Sequence, residues 1–161
     1  MQKMLVKNII DEDFSNYKEC AMFIGFPNCT FKCEKDCGLR GICQNSALAT
    51  SDSVEVSYQS IVSRYFNNPL SKAIVFGGLE PFDNYDDVCE LVVYIRQQTD
   101  DPIIIYTGYT KDEIINKVNW LSLYKNIIIK FGRFVPNQEK HFDEVLGVFL
   151  ASDNQYAERI S

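Results

Sequence analysis

The sequence predicts an α/β fold built as an open, partial (β/α) barrel with a mostly parallel sheet. Several segments of strand length are apolar throughout, and amphipathic segments of helix length separate them, which is typical of a parallel sheet with covered faces. The chain has 161 residues, whereas a closed eight-stranded barrel typically needs roughly 250. We therefore expect the barrel to be open and to form a single domain over residues 1–161.

The first elements are two apolar runs followed by a loop. Residues 5–10 predict a strand at the edge of the fold, and residues 21–26 predict a more apolar strand that ends at Pro27. Residues 29–43, which we call the cysteine segment, contain two glycines and show no periodicity. This composition predicts a loop.

Helices and strands alternate in the rest of the chain. Asp52 and Glu55 have capping-box spacing, and apolar residues then recur at helical intervals, which predicts a helix over residues 54–65. The apolar run 73–76 predicts a strand that is stopped by two glycines. The remaining predicted elements are a helix over 86–95, a strand over 103–106, a short helix capped by Thr110 and Glu113, and strands over 126–131 and 145–150.

Four loops follow predicted strands, and we expect them to meet. They are the cysteine segment, residues 77–78, residues 107–109 and residues 132–133. In parallel sheets the carboxyl ends of the strands share one edge, where functional residues collect. The sequence therefore predicts a site at that edge.

Composition and charge argue against several classes of function. The formal net charge is −6 and the sequence pI is about 4.8, so the chain lacks the basic excess that nucleic-acid binding requires. No apolar run reaches the roughly 18–20 residues that cross a bilayer, and the first residues do not resemble a signal peptide. We expect a cytoplasmic protein with no nucleic-acid or membrane partner.

The cysteine segment is the most informative feature of the sequence. Cys29, Cys33, Cys37 and Cys43 lie within fifteen residues, and a reducing compartment disfavours disulfides between them. Thiolates suit iron–sulfur clusters and zinc. The tight Cys-x-x-Cys pairs usual in zinc ribbons are absent from the sequence, which favours an iron–sulfur cluster while leaving a four-cysteine zinc site as the alternative.

Two further loops have the composition of ligand-binding turns. Gly77 and Gly78 would allow a ligand to approach the backbone closely, and Glu80 would supply an acceptor for an amino group. Thr107 offers a hydroxyl at the end of the next strand. Each of these patterns is equally typical of an ordinary turn when it is taken alone.

Taken together, these motifs resemble the radical S-adenosylmethionine superfamily, and most closely its short members, the activating proteins of anaerobic ribonucleotide reductase. The resemblance rests on Cys29-Thr30-Phe31-Lys32-Cys33, Cys43-Gln44-Asn45, Gly77-Gly78-Leu79-Glu80-Pro81, Tyr106-Thr107-Gly108-Tyr109-Thr110, Leu146-Gly147-Val148 and Ala151-Ser152-Asp153-Asn154-Gln155. Two features depart from the family pattern. The family has two residues between its second and third cysteines, whereas three residues separate Cys33 from Cys37, and Leu79 interrupts the usual glycine-glycine-glutamate-proline motif.

The resemblance implies a radical oxidoreductase with two cofactors. A [4Fe-4S] cluster bound by three cysteines would have an open iron for S-adenosyl-L-methionine, whose amino group the 77–80 loop would hold. The expected product is a glycyl radical on the large subunit of anaerobic ribonucleotide reductase or on another glycyl-radical enzyme. An electron donor such as flavodoxin would reduce the cluster.

The resemblance also implies a choice of cluster ligands. Cys29 and Cys33 keep the family's first spacing. Cys43 is the expected third ligand, because apolar Ile42 precedes it and a polar residue and an asparagine follow it. Cys37 is the alternative, because it lies nearer to the compact spacing. Two other functions stay open: a non-catalytic iron–sulfur or zinc binding protein, and a radical enzyme with another substrate.

Overall fold

The computed structural model describes residues 2–28 and 52–161, which form a six-stranded sheet with helices and two small two-stranded sheets. The strands are β1 (Lys3–Val6), β2 (Asn8–Asp13), β3 (Ala21–Phe26), β4 (Val54–Ser57), β5 (Ala73–Gly78), β6 (Ile103–Tyr106), β7 (Ile127–Phe131), β8 (His141–Asp143), β9 (Val148–Leu150) and β10 (Tyr156–Arg159). The α-helices are α1 (Tyr58–Asn67), α2 (Tyr85–Arg96) and α3 (Ile115–Leu121), and short 3-10 helices span Pro81–Asn84 and Asp112–Ile114.

The large sheet has a parallel centre and antiparallel edges. Its strand order is β10-β7-β6-β5-β3-β2, and the pairs from β3 through β5 and β6 to β7 are parallel. The outer strands β2 and β10 pair antiparallel with β3 and β7. Every residue of β5 and β7 is buried, which explains why these runs are apolar almost throughout. The open partial barrel stays a prediction.

The two faces of the sheet are covered by different parts of the chain. Alternate residues such as Ile103 and Ile105 belong to a core that includes the buried stripes of the three helices. Ile104 belongs to a second core together with Leu146 and Leu150 from the C-terminal region. The helices thus pack on one face, and the β8–β9 hairpin region packs on the other.

The predicted bounds of two elements, the strand over residues 5–10 and the helix over residues 54–65, are wrong. Residues 5–10 are not one strand, because the chain divides at Lys7: β1 pairs with β4, whereas β2 pairs with β3. The helix predicted from residue 54 begins only at Tyr58, and its N-cap is Ser57, whose hydroxyl accepts a hydrogen bond from the Ser60 amide at 3.1 Å. Val54 stands at helical spacing from Tyr58, but residues 54–57 pair as a strand with β1.

Other local predictions are confirmed. The stripe of α2 is buried, and its first turn has the two expected aspartates. Thr110 and Glu113 form a reciprocal capping box: the Thr110 amide donates to Glu113 Oε1 at 2.9 Å, and the Glu113 amide donates to Thr110 Oγ1 at 3.3 Å.

The strand expected over residues 145–150 is shorter and begins at Val148. Within the two described ranges, no helix is both long and apolar enough to span a membrane.

Candidate functional site

The carboxyl ends of β3, β5, β6 and β7 lie at one edge of the sheet, because these strands are neighbours and parallel. Three of the four predicted loops therefore lie together, at residues 77–80, 107–109 and 132–133. The fourth, the cysteine segment, begins after β3 but lies outside the described residues.

The pairing of β3 with β5 continues into the segment that precedes the first cysteine. The Leu79 amide donates to Phe26 O at 3.1 Å, and the Glu80 amide donates to Asn28 O at 2.8 Å. The Asn28 side-chain amide also donates to Asn84 Oδ1 at 2.7 Å. The backbone of Asn28, the residue before Cys29, is therefore held against residues 77–80, which we call the double-glycine loop.

The Glu80 carboxyl group joins the double-glycine loop to residues 107–109, which we call the β6 loop. Its Oε2 accepts hydrogen bonds from the Phe82 amide at 3.1 Å and from Thr107 Oγ1 at 2.9 Å. Its Oε1 accepts from the Gly108 amide at 2.8 Å. Glu80 is only 6% exposed, and this burial raises the pKa of its carboxyl group, although the three hydrogen bonds act in the opposite direction.

Gly78 is required by the packing of the sheet. Its φ is +83°, and a Cβ atom built there would lie 2.7 Å from both Gly25 Cα and Phe26 N. Only a glycine combines this positive φ with so close an approach of the β3 backbone. At Gly77 a Cβ atom would instead meet the ring of Phe23, at 2.7 Å from its Cε2.

A charged and aromatic network lies beside these loops. The Tyr109 hydroxyl donates to Asp83, and the Arg133 guanidinium lies 6.0 Å from the centroid of the Tyr109 ring. Arg133 also donates to Glu113 Oε2 at 2.7 Å, and this hydrogen bond contributes most to lowering the pKa of Glu113 to about 2. Sequence reasoning missed this network. Only the adjacency of the predicted loops after β6 and β7 could have indicated it.

The structure brings together the predicted ligand-binding residues that it describes. Gly77, Gly78 and Glu80 occupy the end of β5 and its loop, and Glu80 contacts Thr107 directly. The predicted cluster ligands Cys29, Cys33, Cys43 and the alternative Cys37 lie outside the described residues. Among the residues that are described, no three His, Cys, Asp or Glu side chains are grouped as metal ligands.

The comparison with family models decides the class of this protein. The model of a 4Fe-4S single cluster domain matches residues 18–156, which is most of the chain. The chain belongs to this family. Comparisons with curated proteins and with solved structures gave no match.

The donor atoms present suit the cluster for which this family is named. The matched range includes all four cysteines of residues 29–43, and a four-iron cluster is held by cysteine thiolates. Membership in the 4Fe-4S single cluster domain family supports the iron–sulfur interpretation of this segment over the zinc alternative.

Proposed function

We propose that this 4Fe-4S protein is a radical S-adenosylmethionine activase that generates a glycyl radical on the large subunit of anaerobic ribonucleotide reductase, or on another glycyl-radical enzyme. The observation that carries the proposal is the 2.8 Å hydrogen bond from the Glu80 amide to Asn28 O. It holds the residue before Cys29 beside the double-glycine loop. A cluster bound by the cysteine segment and a ligand bound at the loop would then be neighbours.

The proposal assigns two groups of residues to the two cofactors. Cys29, Cys33 and Cys43 would bind the cluster, with Cys37 as the alternative third ligand. The loop at Gly77, Gly78 and Glu80, together with Thr107, would form the site of S-adenosyl-L-methionine. Glu80 and Thr107 are 6% and 2% exposed, so this part of the site excludes water.

A donor such as flavodoxin would reduce the cluster. When bound, the cluster would supply one electron for the cleavage of the sulfonium of S-adenosyl-L-methionine to methionine and a 5′-deoxyadenosyl radical. The radical would serve to abstract a hydrogen atom from a glycine of the target. The chain itself would bind and orient the ligand and keep water out. The open partial barrel is the architecture that we propose for this role.

The first experiment tests the reaction. Anaerobically reconstituted protein should contain one four-iron cluster by iron and sulfide analysis. After reduction with dithionite, it should form 5′-deoxyadenosine from S-adenosyl-L-methionine. Protein that holds the cluster but forms no 5′-deoxyadenosine would favour the non-catalytic iron–sulfur function, and stoichiometric zinc without iron would refute both.

A matched pair of variants tests the ligand assignment. Cys43→Ala should lose the cluster and 5′-deoxyadenosine formation, whereas Cys37→Ala should keep both, because a fourth thiolate would occupy the iron that the ligand needs. The reverse result would assign Cys37 as the third ligand. Loss of the cluster in both variants would indicate four-cysteine ligation and a non-catalytic protein.

A further inference from the structure

We infer that Glu80 is a positioning residue whose buried carboxylate holds the β6 loop against the double-glycine loop, and that it does not itself bind the amino group of the ligand. This inference rests on the proposed function. It differs from the expectation drawn from the sequence, in which the Glu80 side chain is the acceptor for that amino group.

Glu80 is hydrogen-bonded to three parts of the described chain. Its amide donates to Asn28 O, just after β3. Its main-chain oxygen accepts from the Asn84 side chain at 2.9 Å and from the Asp83 amide at 3.1 Å, within its own loop. Its carboxylate accepts from Thr107 and Gly108, in the β6 loop. The side chain of this buried residue thus joins its own loop to the β6 loop, and its backbone joins the same loop to Asn28.

The side chains of Glu80 and Thr107 are hydrogen-bonded to each other. The Thr107 hydroxyl donates to Glu80 and accepts from the Tyr109 amide at 3.0 Å. With Glu80 at 6% exposure and Thr107 at 2%, both side chains are buried. Contacts with the ligand are therefore left to the backbone of the loops that these two side chains position.

The interaction requires a carboxylate. Three donors, from Phe82, Thr107 and Gly108, point at its two oxygens. A glutamine has one carbonyl oxygen and one amide nitrogen, and the nitrogen is a donor. In either orientation, Glu80→Gln places a donor against a backbone amide, which leaves a buried hydrogen bond unmade.

A double-mutant cycle on the reconstituted protein tests this role. The probe is S-adenosyl-L-methionine, and the dissociation constant is measured for Glu80→Gln, Thr107→Val and the double variant. Each single variant should weaken binding roughly tenfold or more. The double variant should bind about as well as the weaker-binding single variant, because both substitutions disrupt the same hydrogen-bond network around the Glu80 carboxylate. Thr107→Ser, which keeps the hydroxyl, should restore wild-type affinity. The exposed Glu139→Gln is the matched charge control.

A second probe separates positioning from direct contact. 5′-Methylthioadenosine has the nucleoside and sulfur of S-adenosylmethionine but lacks the amino and carboxylate groups of its methionine part. Positioning by Glu80 predicts that Glu80→Gln weakens both probes by similar factors while iron content and the cluster absorbance stay at wild-type values. Weakening of S-adenosylmethionine alone, or additive single effects, would overturn the inference. Wild-type protein that binds neither probe would instead refute the proposed function.

Discussion

Substitution of Gly78 by alanine should destabilise the fold, and the structure gives the size of the effect. A non-glycine residue at the observed φ of +83° costs about 1–2 kcal/mol. The new Cβ atom would lie 2.7 Å from the backbone of Gly25 and Phe26, which cannot move without disturbing the β3–β5 pairing. Such overpacking typically costs about 1–3 kcal/mol more.

The expected loss is therefore about 1–4.5 kcal/mol, after allowing about 0.4–1 kcal/mol for the lower entropy of the unfolded alanine chain. The free energy of unfolding of a domain is roughly 5–15 kcal/mol, so this loss is a substantial fraction of it. A functional test with Gly78→Val would accordingly report on folding before it reported on ligand binding. The Glu80 and Thr107 variants are better probes of the site.

Gly108→Ala is the matched control. A Cβ atom there would meet Glu80 Oε1 at 3.5 Å and Arg133 Cγ at 3.6 Å, which are ordinary contacts. Its stability should lie within about 1 kcal/mol of wild type. Anaerobic urea unfolding, followed by circular dichroism and by the fluorescence of the single tryptophan, measures both variants. Equal stability of Gly78→Ala and Gly108→Ala would refute the reasoning.

Two further perturbations test the edges of the site and of α1. Arg133 and, to a smaller extent, Thr110 lower the pKa of Glu113 from its usual 4.5 to about 2, so this stabilisation is present above pH 4.5 and is lost as the pH falls towards 2. Because the pair is partly exposed, Glu113→Gln should cost at most about 1 kcal/mol at pH 7, with a difference from wild type that shrinks on acidification; a pH-independent difference would contradict this. Ser57→Ala should cost about 1 kcal/mol in urea unfolding, because the Ser60 amide loses its cap, whereas Ser57→Thr should be near wild type.

Strands and helices with a strong local signal could be predicted from the sequence. The run at residues 103–106 is apolar at every position because both faces of β6 are covered, and it is a strand in the structure. The reciprocal bonds of Thr110 and Glu113 span three residues, so their spacing alone indicates them.

Features that depend on distant partners could not be predicted in this way. Val54 stands at helical spacing from Tyr58, but it lies in a strand because β1, about fifty residues earlier, offers a pairing edge. The contact of Glu80 with Thr107 spans 27 residues. The two loops could be assigned to one edge of the sheet from the sequence, but the hydrogen bond between their side chains could not.

The described residues on either side of positions 29–51 are held by strands that lie next to each other. Asn28 precedes the segment and is bonded to Glu80, while Val54, where the described chain resumes its pairing, lies opposite Val6. Lys7, the next residue, donates its amide to Gly25 O at 2.7 Å. Joining the ends of a long loop costs entropy that grows with its length. Because β3 and β4 are both paired with other strands, the cost of bringing the two sides of residues 29–51 together is met when the fold forms.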